Sequence, residues 1–176
     1  WFLTEDVQAC VGGLPCPLVV EGVGQLGVVD DALHNIKDLN QEIATRTLSG
    51  RSAADLEDQR DRHLDRLTEQ MNVQYFSRKN GEVVILTQTG RTLLDTRVHE
   101  LQVDGRSVIT PQTVYDADPA QRGVATITLS TGAGDVDLLA RNEISDGRIA
   151  GFIDVRDKLM PQAQDQLDEL AHHLAT

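Results

Sequence analysis

From residue 30 the apolar positions recur at helical spacing: Ala32, Ile36, Leu39 and Ile43 share one stripe. Asp30 and Asp31 stand at its start, where carboxylates suit the positive end of a helix dipole. The pattern predicts a helix over 30–48, broken by Ser49-Gly50-Arg51-Ser52. A second helix is expected over 53–71 on Leu56, Leu64, Leu67 and Met71, with Ser52 as N-cap and Asp55 completing a weak capping box. Two amphipathic helices joined by a short glycine-containing turn should pack antiparallel.

After Asn72 the period changes to two. Val73, Tyr75 and Ser77 alternate with Gln74, Phe76 and Arg78, and Asn80-Gly81 predicts a type I′ hairpin turn into a return strand over 83–87. Thr89-Gly90, Asp104-Gly105 and Thr131-Gly132-Ala133-Gly134 punctuate further strand-like runs at 101–103, 108–109 and 124–129. Asp116-Ala117-Asp118-Pro119 reads as a turn. Short strands with frequent turns mean an antiparallel meander rather than parallel βαβ units. Helical spacing returns at Phe152, Leu159, Ala163, Leu167, Leu170 and Leu174, predicting a closing helix over 153–175 that Pro161 kinks or restarts. The expected fold is α+β: an antiparallel helical bundle, two N-terminal helices plus a C-terminal one, with an antiparallel β meander over 73–140 inserted between them.

Residues 1–29 differ from the rest. They hold both cysteines, five glycines and no Lys or Arg. They are expected to form a separate glycine-rich lead-in before a domain spanning 30–176. Cys10 and Cys16 fit either a local bridge or two free thiols, and C-x5-C is not zinc-knuckle spacing. Beginning at Trp1, the chain reads as a fragment or a processed product without a signal-peptide pattern. No apolar run approaches the ~20 residues of a membrane span.

Composition narrows the chemistry. A net charge of −12 opposes nucleic-acid binding, which needs clustered Lys and Arg, and 3% aromatic residues give little to stack bases on. Gly22-x-Gly24-x-x-Gly27 follows the strand-like Leu18-Val19-Val20 and precedes a helix, as in a dinucleotide site. A second helix follows where that site needs a parallel strand, so a dinucleotide-binding enzyme is the alternative reading. The histidines are scattered, and no nucleophile motif or metal-ligand spacing occurs. No catalytic residue, cofactor or metal is expected.

Two stretches carry Asp-x-Arg-Asp: Asp58-Gln59-Arg60-Asp61 and Asp154-Val155-Arg156-Asp157. Asp58 with Arg62, and Asp154 with Lys158, have the i,i+4 spacing of a solvated helix face. Arg60 and Arg156 fall beside their helices' apolar stripes, and each is expected to tie elements together through a carboxylate. The structural set is therefore Arg60, Arg156, Asp58, Asp61, Asp154 and Asp157.

Several separated blocks carry a family resemblance. They are Asp38-Leu39-Asn40-Gln41-Glu42-Ile43, Ala54 to Asp61, Leu64-Asp65-Arg66-Leu67, Asn72-Val73 with Asn80-Gly81-x-Val83-x-Ile85, Gly90-x-x-Leu93-Leu94, and Gly147 to Asp157. Together, over about residues 30–176, the chain resembles the hook-associated protein 1 family, the first junction protein between hook and filament of the bacterial flagellum. The resemblance implies a non-enzymatic subunit, exported through the flagellar channel without a cleaved signal peptide and assembled into an extracellular ring. It implies the hook protein, the second junction protein and further copies of itself as partners. The family's long terminal coiled-coil helices fall outside this segment, so a monomer in solution is expected. From residue 30 onward there is no cysteine, which suits a subunit that is threaded unfolded.

Overall fold

The computed structural model describes residues 17–104, 116, 118, 123–132 and 134–175, with side chains from residue 24. Helix α1 runs from Pro17 to Leu48. Proline suits this first position, where its missing N–H would have no intrahelical partner. The helix expected at residue 30 therefore begins well inside the presumed lead-in. Leu26 and Val29 are the reason: they extend the seam of Leu33 and Ile36 by a further turn and are buried in the same core. Leu18, Val19 and Val20, strand-like in sequence, are helical as part of the same element.

A short connection leads to α2, Ala54–Gln70. Its N-cap is Ala53, without a side-chain cap, so Ser52 does not close the capping box expected of it. The buried face of α2 reads Leu56, Arg60, Leu64, Leu67 and Gln70, one stripe that packs on α1.

Among the described residues the β region forms two antiparallel three-stranded sheets rather than one meander. The first is β1 (Val73–Ser77), β2 (Val83–Thr87) and β3 (Thr92–Leu94), and the second is β4 (Leu101–Asp104), β5 (Thr126–Thr131) and β6 (Gly134–Asp137). In the β1–β2 hairpin, Arg78 N–H donates to Glu82 O at 2.7 Å and Gly81 N–H donates to Arg78 O at 3.0 Å. Gly81 has φ +86°, while Asn80 is not in the positive-φ region. A type I′ turn needs positive φ at both central residues, so Asn80-Gly81 instead ends a three-residue loop with glycine at the bulge position. The β2–β3 turn repeats this, with Gly90 at φ +88° and Thr87 N–H donating to Arg91 O. Residues 108–109 lie outside the described residues; at the 116–119 turn, Asp118 N–H donates to Asp116 Oδ1 at 2.7 Å.

The last helical stretch is α3 (Arg148–Asp154), a π turn (Val155–Leu159) and α4 (Met160–Ala175). Pro161 has no N–H for the carbonyl four residues back, and the turn ahead of it widens so that Met160 N–H donates to Val155 O. The expectation that the 159–174 stripe closes the bundle is corrected. Ile149 of α3 is buried in the core, whereas α4 buries none of its side chains. Leu159, Leu167, Leu170 and Leu174 are all exposed. One core joins α1, α2, both sheets and α3.

Candidate functional site

Asn40 is the polar member of the α1 seam, one turn after Ile36 and one before Ile43. Its Nδ2 donates to Val83 O at 2.8 Å and its Oδ1 accepts from Val83 N–H at 3.0 Å. The side chain thus pairs with one residue of β2 as a neighbouring strand would.

Arg60 occupies the matching place on α2 and is 6% exposed. Its Nη1 donates to Gly81 O at 2.6 Å and to Asn40 Oδ1 at 3.3 Å. The guanidinium joins α2, α1 and the β1–β2 turn through carbonyl and amide oxygens. No carboxylate takes part, contrary to the expectation, because Asp58 and Asp61 both lie on the exposed face of α2. Asp58 and Arg62 form no ion pair within the described residues. Arg60 Nε is buried without a hydrogen-bond partner.

Arg156 makes a second junction from the π turn. Its Nη1 donates to Ala125 O at 2.7 Å, and Nε and Nη2 donate to Asp157 Oδ1 and Oδ2 at 2.6 and 2.8 Å. This bidentate pair orients the guanidinium toward the residue preceding β5. Asp154 is instead engaged with Lys158 at 2.6 Å on the exposed face. The two Asp-x-Arg-Asp stretches therefore serve different junctions, α2 with the first sheet and the π turn with the second.

Two further linkages carried no local sequence signal. Glu143, 1% exposed, accepts from Arg91 Nε at 2.6 Å and from Thr87 Oγ1 at 3.1 Å, fastening the segment after β6 to the β2–β3 turn. The half-buried Asp30 accepts from Leu101 N–H at 3.3 Å, fastening α1 to β4. Burial raises the Asp30 pKa, opposed by the Leu101 hydrogen bond and the nearby His34. Polar spacing along a helix identifies Asn40 and Arg60 as interruptions of apolar seams, but Glu143 meets Arg91 only through the fold.

Gly22, Gly24 and Gly27 lie inside the continuous helix α1. A dinucleotide site needs those glycines in the turn ahead of a helix, where free N–H groups meet a pyrophosphate. Here their N–H groups belong to the helix, and the alternative reading has no support. An open groove of about 510 Å³ runs between α3 with its π turn and the 139–145 segment, floored by Leu139, Ile144, Ala150 and Ile153. Its carboxylates, Asp154 and Asp157, are already held in ion pairs. Among the described residues no group of His, Cys, Asp or Glu is placed to hold a metal ion, and no helix is long and apolar enough to cross a membrane.

The flagellar hook-associated protein FlgK helical domain matches residues 24–176. The chain belongs to the FlgK family. No individually curated protein matches it. The FlgK helical-domain match takes in both Asp-x-Arg-Asp stretches, both sheets and the N-terminal turns of α1 that residues 30–176 alone would omit. FlgK proteins are structural, so this chain is a structural component of the bacterial flagellum and not an enzyme.

Proposed function

We propose that this chain works at the junction between hook and filament, connecting them through non-catalytic contacts with the hook protein, the second junction protein and copies of itself. The observation that carries the reading is the match of the FlgK helical domain across both sheets and all the helices that share the core. The polar junctions favour a load-bearing role. Arg60 and Arg156 hold separate elements by their guanidinium groups, whereas Asp58, Asp61 and Asp154 serve the solvated faces. The α+β unit from about residue 24 forms the working domain, exported unfolded through the flagellar channel without a cleaved signal peptide and functioning outside the cell. In isolation it is monomeric at micromolar concentration and forms no ring.

Deletion of the gene that encodes this chain tests the reading. Electron microscopy should show hooks without filaments, restored by the intact gene. Normal filaments on the deletion strain would refute a junction role.

A further inference from the structure

Strand β1 lies at the edge of the first sheet and reads Val-Gln-Tyr-Phe-Ser, without charge or proline. Natural edge strands are usually guarded by Lys, Pro, a bulge or a covering segment. Beyond its half-buried first residue, β1 is exposed, with Tyr75 54% and Phe76 51% accessible in a chain that is only 3% aromatic. By contrast, β6 carries Asp135 and Asp137, and β3 has only three residues.

The backbone phase of this edge is fixed. Arg78 N–H donates to Glu82 O, and the register continues through Phe76 opposite Val84 and Gln74 opposite Leu86. Antiparallel strands alternate the direction of their backbone groups, so Val73, Tyr75 and Ser77 turn theirs toward the open side.

We propose that β1 is a pairing edge for a second copy of this chain, joined antiparallel about a two-fold axis at Tyr75. Tyr75 meets its own counterpart, and Val73 and Ser77 meet each other reciprocally, so every outward N–H and C=O in the strand finds a partner. Charge selects a second copy in this orientation. Arg78 is already held by Asp95 at 2.7 Å, but Lys79 makes no ion pair among the described residues. The antiparallel register carries Lys79 to the far end of the partner's strand. There Asn72 follows Glu69 closely in sequence and binds Ser145 N–H, which brings Asp146 alongside. A parallel arrangement would set Lys79 beside its own counterpart. The apolar stripe of α4 offers no comparable argument for any particular occupant. One added strand is a small interface, so the pairing is weak in dilute solution and gains from the high local concentration of an assembly.

Amide NMR spectra of the whole chain at about 50 μM and about 1 mM span the range in which so small a contact fills. Expected are concentration-dependent shifts centred on Val73, Tyr75 and Ser77, with intermolecular contacts between Tyr75 rings in a mixed-label sample. Ser77→Lys should remove them while leaving the remaining spectrum folded, and Leu170→Glu should leave them in place. Identical spectra at the two concentrations would overturn the proposal. So would shifts on Leu167, Leu170 and Leu174 that Leu170→Glu removes, or shifts on β1 that survive Ser77→Lys.

Discussion

Asn40 holds Val83 by both of its backbone groups, at 2.8 and 3.0 Å, from a helix that would otherwise present an apolar seam there. Truncating it strands a buried N–H and a buried C=O and removes an acceptor from Arg60. Unsatisfied buried groups cost about 1–3 kcal/mol each, so Asn40→Ala should lower unfolding free energy by about 2–4 kcal/mol. Urea denaturation followed by circular dichroism measures this, and a change below about 0.5 kcal/mol would show the pairing to be incidental.

Three glycines with positive φ form a graded series. At Gly90, φ +88°, an added Cβ meets nothing within 4 Å, so Gly90→Ala should cost only the backbone strain of about 1 kcal/mol. At Gly81 the Cβ would come 2.9 Å from Ile43 Cγ2, a buried methyl that must shift. At Gly147 it would lie 2.5 Å from Gln70 O and 2.8 Å from Met71 N, backbone atoms at the end of α2. Melting temperatures should fall in the order Gly90→Ala, Gly81→Ala, Gly147→Ala, the last being lowest. Equal losses would mean that only φ matters.

These outcomes also separate what was legible in the sequence from what was not. The seam of Leu64 and Leu67 and the strands at 73–77 and 83–87 follow from short-range periodicity. Leu26 and Val29 follow the same spacing, but the surrounding glycines suggested a lead-in; core burial offsets the glycine cost of about 0.5–1 kcal/mol. Arg60 was visible because a charge interrupted an apolar stripe. Its acceptors were not, since backbone carbonyls carry no residue-specific signal. The split into two sheets and the pairing of Arg91 with Glu143 depend on long-range packing, which periodicity does not encode.

Asp30 gives a pH dependence of definite sign. Burial raises its pKa above the ordinary 3.8, so above that raised value the folded state carries a buried charge that the unfolded chain solvates. The penalty is relieved as pH falls through the raised pKa and is absent below the unfolded value. Asp30→Asn keeps an acceptor for Leu101 N–H without the charge. Its urea midpoint should exceed that of wild type at pH 7, and the difference should vanish at strongly acid pH. A lower midpoint at pH 7 would mean that the carboxylate stabilises the α1–β4 contact.

The last helical stretch divides sharply at the π turn. Ile149 is 2% exposed, so Ile149→Ala should cost about 2–4 kcal/mol through lost burial and the cavity left behind. Leu167 and Leu170 are each 56% exposed, so changing both to Gln should alter stability by less than about 0.5 kcal/mol. Comparable losses in calorimetry would place α4 in the folded core.

The account depends most on Arg60, whose guanidinium fastens α2 to Asn40 and to the β1–β2 turn instead of facing a ligand. Arg60→Met keeps the stem but leaves Gly81 O without its donor, and should lower unfolding free energy by about 1–3 kcal/mol in urea denaturation. An unchanged midpoint would contradict the claim that this arginine holds the architecture together.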